Sequence, residues 1–131
     1  MSDPNTTIRL ESALGRVRGL GSARGGTHHW WIQRVTSMAL LPLSIWFILS
    51  VAMHTGYTHA QVVAWIAHPL NAVLLLSFIL ISFQHAGSGM QVVLEDYVRG
   101  EMPRMAAILA VKALCWLMVL LAALSVLRIA L

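Results

Sequence analysis

Charge is what this sequence has least of: Lys and Arg number 9, Asp and Glu 5, and together they make 11% of 131 residues. With 58% of residues hydrophobic, the chain is too apolar for an ordinary soluble domain and short for two domains. Cysteine is nearly absent as well. Cys115 stands alone in an apolar run, which excludes an internal disulfide and a thiolate metal cluster and leaves packing as its reading. No Gly-rich dinucleotide motif and no multi-cysteine cluster motif occurs. Internal repeats and low-complexity tracts are missing too.

What is present is long apolar stretches. Val35 to Met53 carries no charge and, at about 1.5 Å per residue, is long enough to cross a hydrocarbon core of about 30 Å. Pro69 to Phe83 is apolar apart from Asn71 and Ser77 and reaches membrane length by including Gln84 and His85. Met105 to Leu127 holds a single charge, Lys112. The expectation is an all-α integral membrane protein with spans near 31–53, 69–94 and 104–128. A cleaved signal fits the first run poorly, because the run is long and "SVAMHTG" is a poor cleavage site.

The net charge of +4 reads as topology and not as nucleic-acid binding. Arg9, Arg16, Arg18, Arg24 and Arg34 precede the uncharged run from Val35, the loop from His54 to Ala67 has no Lys or Arg, and the second loop has Arg99 and Arg104. The positive-inside rule then puts the N-terminus inside and the C-terminus outside. Lys112 is close enough to the inner end of its span to snorkel, and Arg128 sits at the outer end.

Residues 1–26, rich in Arg, Gly and Ser, read as a mobile cytoplasmic arm before a membrane domain at 27–131, and "GLGSARGG" supports no helix. Asp3 and Glu11 weaken a mitochondrial presequence reading. Trp30 and Trp31 fall where an interfacial aromatic belt belongs, and Pro42 predicts a bend within the first helix. "YTHAQVVAWIA" is too short to cross and suits a helix lying in the outer interface. Pro69 suits the first turn of the second spanning helix, which reads as helical to about Leu94 and at the furthest Val98; Gly100 and Pro103 separate it from the third.

His85 lies about 24 Å along the helix from Pro69, inside the membrane, where an ionisable residue is a functional candidate. It reads either as an imidazole bonded to a neighbouring helix or as a haem ligand, with Gly87 and Gly89 admitting a helix or a flat macrocycle. No other histidine has a suitable depth, so if His85 binds haem its axial mate comes from another chain. Asp96 and Tyr97 follow about 18 Å beyond, at the inner border, where a phenol can donate to a carbonyl oxygen beside an orienting carboxylate. A solvated helix end with an interfacial tyrosine explains the same pair. Arg34 enters this layer with His28, His29 and Gln33, and it reads as a partner for a carboxylate such as a haem propionate or as a topology-setting arginine.

"HHWWIQRVTSMALLPLS" followed by "QHAGSGMQVVLEDYV" resembles the hydrophobic membrane anchor, the D subunit, of succinate dehydrogenase (succinate:quinone oxidoreductase, respiratory complex II), the alphaproteobacterial and mitochondrial type in particular. The resemblance covers about residues 26–131, with His85 and the Asp96–Tyr97 pair its most specific part. It implies that His85 is one axial ligand of haem b, with the second histidine from a cytochrome b556-type C subunit. It implies that Tyr97 hydrogen-bonds a ubiquinone carbonyl with Asp96 beside it, and that Arg34 and His28 lie near the haem propionates and the quinone pocket. Two positions depart from the pattern: His29, where some relatives are acidic, and Gln91, where some have tryptophan. The iron–sulfur and flavoprotein subunits are the further implied partners, with succinate oxidised there and not on this chain. The implied location is the bacterial inner membrane in preference to the mitochondrial one. A membrane scaffold or assembly subunit with no redox group is the alternative from a different class. A self-contained multi-haem cytochrome needs histidines paired in depth, and a transporter needs a second mid-membrane charge; both fit less well.

Overall fold

The computed structural model describes residues 24–131 and, before them, Leu14 and Val17 alone. The expected mobile arm therefore lies almost wholly outside the described residues. Within them the chain forms four helices: α1 (Arg24–Met53), α2 (His59–Ala67), α3 (Pro69–Tyr97) and α4 (Glu101–Ala130). α1, α3 and α4 are long and apolar enough to cross a membrane, so the chain is an all-helical, multi-pass membrane protein. At about 1.5 Å per residue each runs to about 40–45 Å, longer than the hydrocarbon core, so their end turns reach the interfaces.

α1 and α4 extend beyond the sequence expectation, whereas α3 ends within the furthest limit set for it, Val98. α1 begins at Arg24, so the last residues of "GLGSARGG" are helical; propensity against Gly25 and Gly26 is a small term beside the continuous helix that follows. α3 runs through Asp96 and ends at Tyr97. Pro103, expected to help break the chain, sits inside the first turn of α4, where a missing N–H has no intrahelical partner to lose. The break runs from Val98, which is extended, to Gly100, whose φ of +92° suits glycine. The helix also runs unbroken through Pro42.

The α2 region has clear local causes. Thr58 caps α2, accepting from Gln61 N–H, while the Gln61 side chain accepts from Thr58 N–H at 2.8 Å. His68 ends α2 and precedes α3; Pro69 forces it into an extended conformation (φ −66°, ψ 126°), so one residue closes one helix and opens the next. Asn71 Nδ2 then donates to Trp65 O at 2.8 Å and ties the two helices together.

α3 is the central element, packed against α4 on one side and α1 on another, while α1 and α4 make no close backbone approach among the described residues. Where α3 meets α4, a Cβ added to Gly87 would lie 3.4 Å from Cys115 Sγ, so the lone cysteine does pack, in the notch that a glycine leaves. The buried apolar core is small and lies at the α2 end of the bundle: Ala72, Leu75 and Val126, with Trp46, Phe47, Trp65 and Ile79 around them. Trp46 stacks on Trp65 at 5.9 Å and Phe47 on Phe78 at 4.8 Å. Leu41, Ile45, Ile48 and Leu49 of α1 and Leu114, Leu117, Leu120 and Leu124 of α4 are exposed. An apolar surface of that extent is stable only against lipid or other membrane helices.

Candidate functional site

The opposite end of the bundle is built from the start of α1, the second half of α3 and the start of α4, and it holds the polar side chains. His85 is half-buried on α3 and faces α1. Its Nδ1 lies 2.9 Å from Thr36 Oγ1, and its Nε2 lies 3.5 Å from Gln33 Nε2. The first distance is that of a good hydrogen bond and the second is at the outer limit. Thr36 and Gln33 reach α3 together because residues three apart share a helix face. Thr36 Oγ1 also donates back to its own helix, with Ile32 O at 2.9 Å and Gln33 O at 3.1 Å. Gly89, one turn on from His85, leaves room for Gln33: a Cβ there would be 3.5 Å from the amide nitrogen. The two glycines thus serve different neighbours, Gly87 facing α4 and Gly89 facing α1.

Beside this contact a cleft of about 690 Å³ opens between α1, α3 and α4, lined among others by His28, His29, Gln33, Gln91, Glu95 and Lys112. Two atoms at this end, His29 Nε2 and Gln33 Oε1, are buried with no hydrogen-bond partner. An orphaned buried acceptor or donor is costly, so these atoms call for water or a partner group to complete them. Gln91 is occupied within its own helix, donating to Glu95 Oε1 at 2.7 Å. Lys112, exposed, reaches the rim of the cleft from α4.

Arg34 is exposed and points into a separate groove of about 570 Å³ with Trp30, Gln33, Ser37, Met38 and Leu41, its guanidinium carbon 5.1 Å from the Trp30 ring centroid. Asp96 and Tyr97 occupy the last turn of α3, and Tyr97 is 81% exposed. The structure brings His85 together with Gln33 and Thr36, and His28 with the α3 residues of the cleft. It brings no described side chain onto Asp96 or Tyr97, and no ion pair joins Arg34 to Asp96. Among the described residues no group of three or more His, Cys, Asp or Glu side chains is placed to hold a metal ion. Thr36 and Gln33 went unused in the sequence reading as partners of His85, although both stand in the "QRVT" stretch around Arg34.

Comparison with known proteins identifies the bundle. The family model for the succinate dehydrogenase/fumarate reductase transmembrane subunit matches residues 8–126. A succinate dehydrogenase hydrophobic membrane anchor subunit from Rickettsia bellii is 34% identical over 107 residues, covering 81% of this chain and 85% of the relative. Proteins of the same description from Rickettsia felis and Paracoccus denitrificans are 38% identical over 91 residues and 32% over 95, covering 69% and 72% of this chain and 75% and 74% of their own lengths. No solved structure matches significantly. The chain belongs to the succinate dehydrogenase/fumarate reductase transmembrane subunit family.

Proposed function

We propose that this chain is the membrane anchor subunit of a succinate:ubiquinone oxidoreductase, that it supplies one axial histidine to haem b, and that it forms part of the ubiquinone-reduction site. The observation that carries the reading is the likeness to hydrophobic membrane anchor subunits over most of both chains. The proposed partners are the cytochrome b556-type C subunit, the iron–sulfur subunit and the flavoprotein subunit, with residues 27–131 as the anchor proper in a bacterial inner membrane. Arg34, Arg99 and Arg104 cluster at the polar end, while the loop beside α2 has no Lys or Arg, which supports an orientation with the N-terminus inside and the C-terminus outside.

The residues fit a haem ligand set shared with another chain. His85 is engaged firmly at Nδ1 and only weakly at Nε2, so a nitrogen is available to a metal once the Gln33 amide moves aside. Such a move breaks no bond of Gln33 Oε1, which has no partner. Arg34, exposed beside that contact, is the cation suited to a propionate, and His28 lies at the edge of the same layer. Haem, when bound, would supply a one-electron redox centre beside the quinone pocket.

At the helix end Tyr97 donates a hydrogen bond from its phenol to a quinone carbonyl oxygen, and Asp96 orients that phenol and passes a proton towards it. Both side chains are exposed here, which accords with a site whose other walls belong to partner subunits. Two electrons from the iron–sulfur subunit and two protons from the inner side convert quinone to quinol.

A reduced-minus-oxidised visible spectrum of the detergent-solubilised complex, purified through this chain, tests the reading beside its His85→Ala variant. The expected result is a b-type band that disappears or shifts in the variant. A wild-type complex without a band removes the haem assignment, and unchanged quinone reduction in Tyr97→Phe as well would leave the scaffold reading.

A further inference from the structure

Thr36 has one hydroxyl proton, and the backbone carbonyls of Ile32 and Gln33 at 2.9 and 3.1 Å claim it. Its oxygen is then left to act as an acceptor towards His85 Nδ1, at 2.9 Å. That places the imidazole proton on Nδ1 and the lone pair on Nε2. The other side of the ring agrees with this assignment, since the group facing Nε2 is the amide nitrogen of Gln33, a donor, and not its oxygen. Two placements, one on each side of the ring, therefore select the same tautomer.

We propose that Thr36 is a positioning residue for the proposed haem ligand: its hydroxyl holds His85 in the Nδ1–H tautomer, fixes the ring against α1, and strengthens Nε2 as a donor to iron. The inference rests on the reading of His85 as a ligand and adds to it the residue that prepares the nitrogen. A metal-ligating histidine commonly donates its other N–H to a fixed acceptor, which orients the ring and raises its basicity. In soluble proteins a carboxylate or a carbonyl often fills that place. Within a membrane helix a threonine back-bonded to its own carbonyls provides the acceptor without adding a charge. The neighbouring glycine position contributes as well, because a Cβ at Gly89 would stand 3.5 Å from the Gln33 amide nitrogen that faces the ring.

The test compares Thr36→Val, Thr36→Ser and His85→Ala in the intact complex, with haem content per complex, haem midpoint potential and the low-spin ferric resonance as readouts. Thr36→Val keeps the shape and removes the acceptor. A less basic Nε2 stabilises ferric haem less, so the potential rises, the resonance shifts, and haem is lost about tenfold more readily, the lower range for removing such a partner. Thr36→Ser keeps the oxygen and is expected to restore the wild-type potential. A Thr36→Val complex with wild-type potential, resonance and haem content, beside a His85→Ala complex that has lost its band, overturns the role of Thr36 and leaves the ligand reading standing. A His85→Ala complex that keeps the wild-type band overturns both. If Thr36→Val does not assemble, Thr36→Ser still decides: a potential displaced from wild type would mean that shape and not the hydroxyl sets the ligand.

Discussion

The two ends of the bundle are finished to different degrees. At the α2 end the chain closes on itself: Trp46 and Trp65 stack, Phe47 and Phe78 stack, and His54 sits 4.5 Å from Tyr57 and 5.2 Å from Trp65 between ring centroids. Ala72, Leu75 and Val126 are buried beneath them. At the polar end a cleft of about 690 Å³ remains, His29 Nε2 and Gln33 Oε1 lack partners, and Tyr97 stands free. A chain that anchors a larger complex can complete one end alone and leave the other for its partners to complete. On the proposed reading of the polar end, stability and function separate along the molecule, and substitutions at each end should be read by different assays.

The seam that joins the ends offers the largest effect. Gly87 faces Cys115 with space for a methyl group but for little more, so Gly87→Leu forces α3 away from α4 at a cost of about 3 kcal/mol, the upper end for overpacking. The expected outcome is loss of the assembled complex on size-exclusion chromatography, with Gly87→Ala close to wild type. A Gly87→Leu complex of normal yield would mean that the α3–α4 contact is not what sets the bundle. Next comes Trp65→Ala, which removes the stack on Trp46 and part of the core cover and should cost about 2–3 kcal/mol. Its melting temperature in detergent falls while the visible spectrum stays unchanged. A shifted spectrum there would show that the two ends are coupled and would break the comparison.

Much of this separation was legible in the sequence. Apolar length gave away the three spans, because nothing but a membrane calls for so many uncharged residues in a row. Tyr57 and Trp65 in a segment too short to cross marked α2 as a separate helix. The contact of His85 with Thr36 was not legible, for a physical reason. α1 is apolar almost all the way round beyond its first turns, so no stripe says which face meets α3, and either Arg34 or Thr36 was free to be the residue that turns inward. The structure turns Thr36 and Gln33 inward and leaves Arg34 exposed. Helix ends escaped for local reasons: the propensity against Gly25 and Gly26 is small beside the long helix that follows, and Pro103 stands in a first turn, where proline is tolerated.

Tyr97→Phe tests the open end directly. Removing one phenolic hydroxyl costs about 1.4 kcal/mol in the proposed quinone step, or about a tenfold loss of quinone reductase activity. Succinate oxidation with an artificial dye persists, because dye reduction does not pass through this helix end. Equal loss of both activities would mean that Tyr97 holds the complex together and that the polar end is an assembly surface.

The smallest effect belongs to the closed end and its best-formed local motif. Thr58 and Gln61 satisfy each other's backbone N–H groups at the start of α2, with no partner from any other helix. Thr58→Ala should therefore cost about 1 kcal/mol and no more, the usual value of a helix cap. Differential scanning of the purified complex would show a small fall in melting temperature, with quinone reductase activity and spectrum at wild-type levels. α2 has no buried residue of its own, so it is held by its cap, by the Asn71 bond to Trp65 O and by the Trp46 stack. If Thr58→Ala proves as damaging as Trp65→Ala, the cap and the stack act as one cooperative unit, and the α2 end closes as a single folding step.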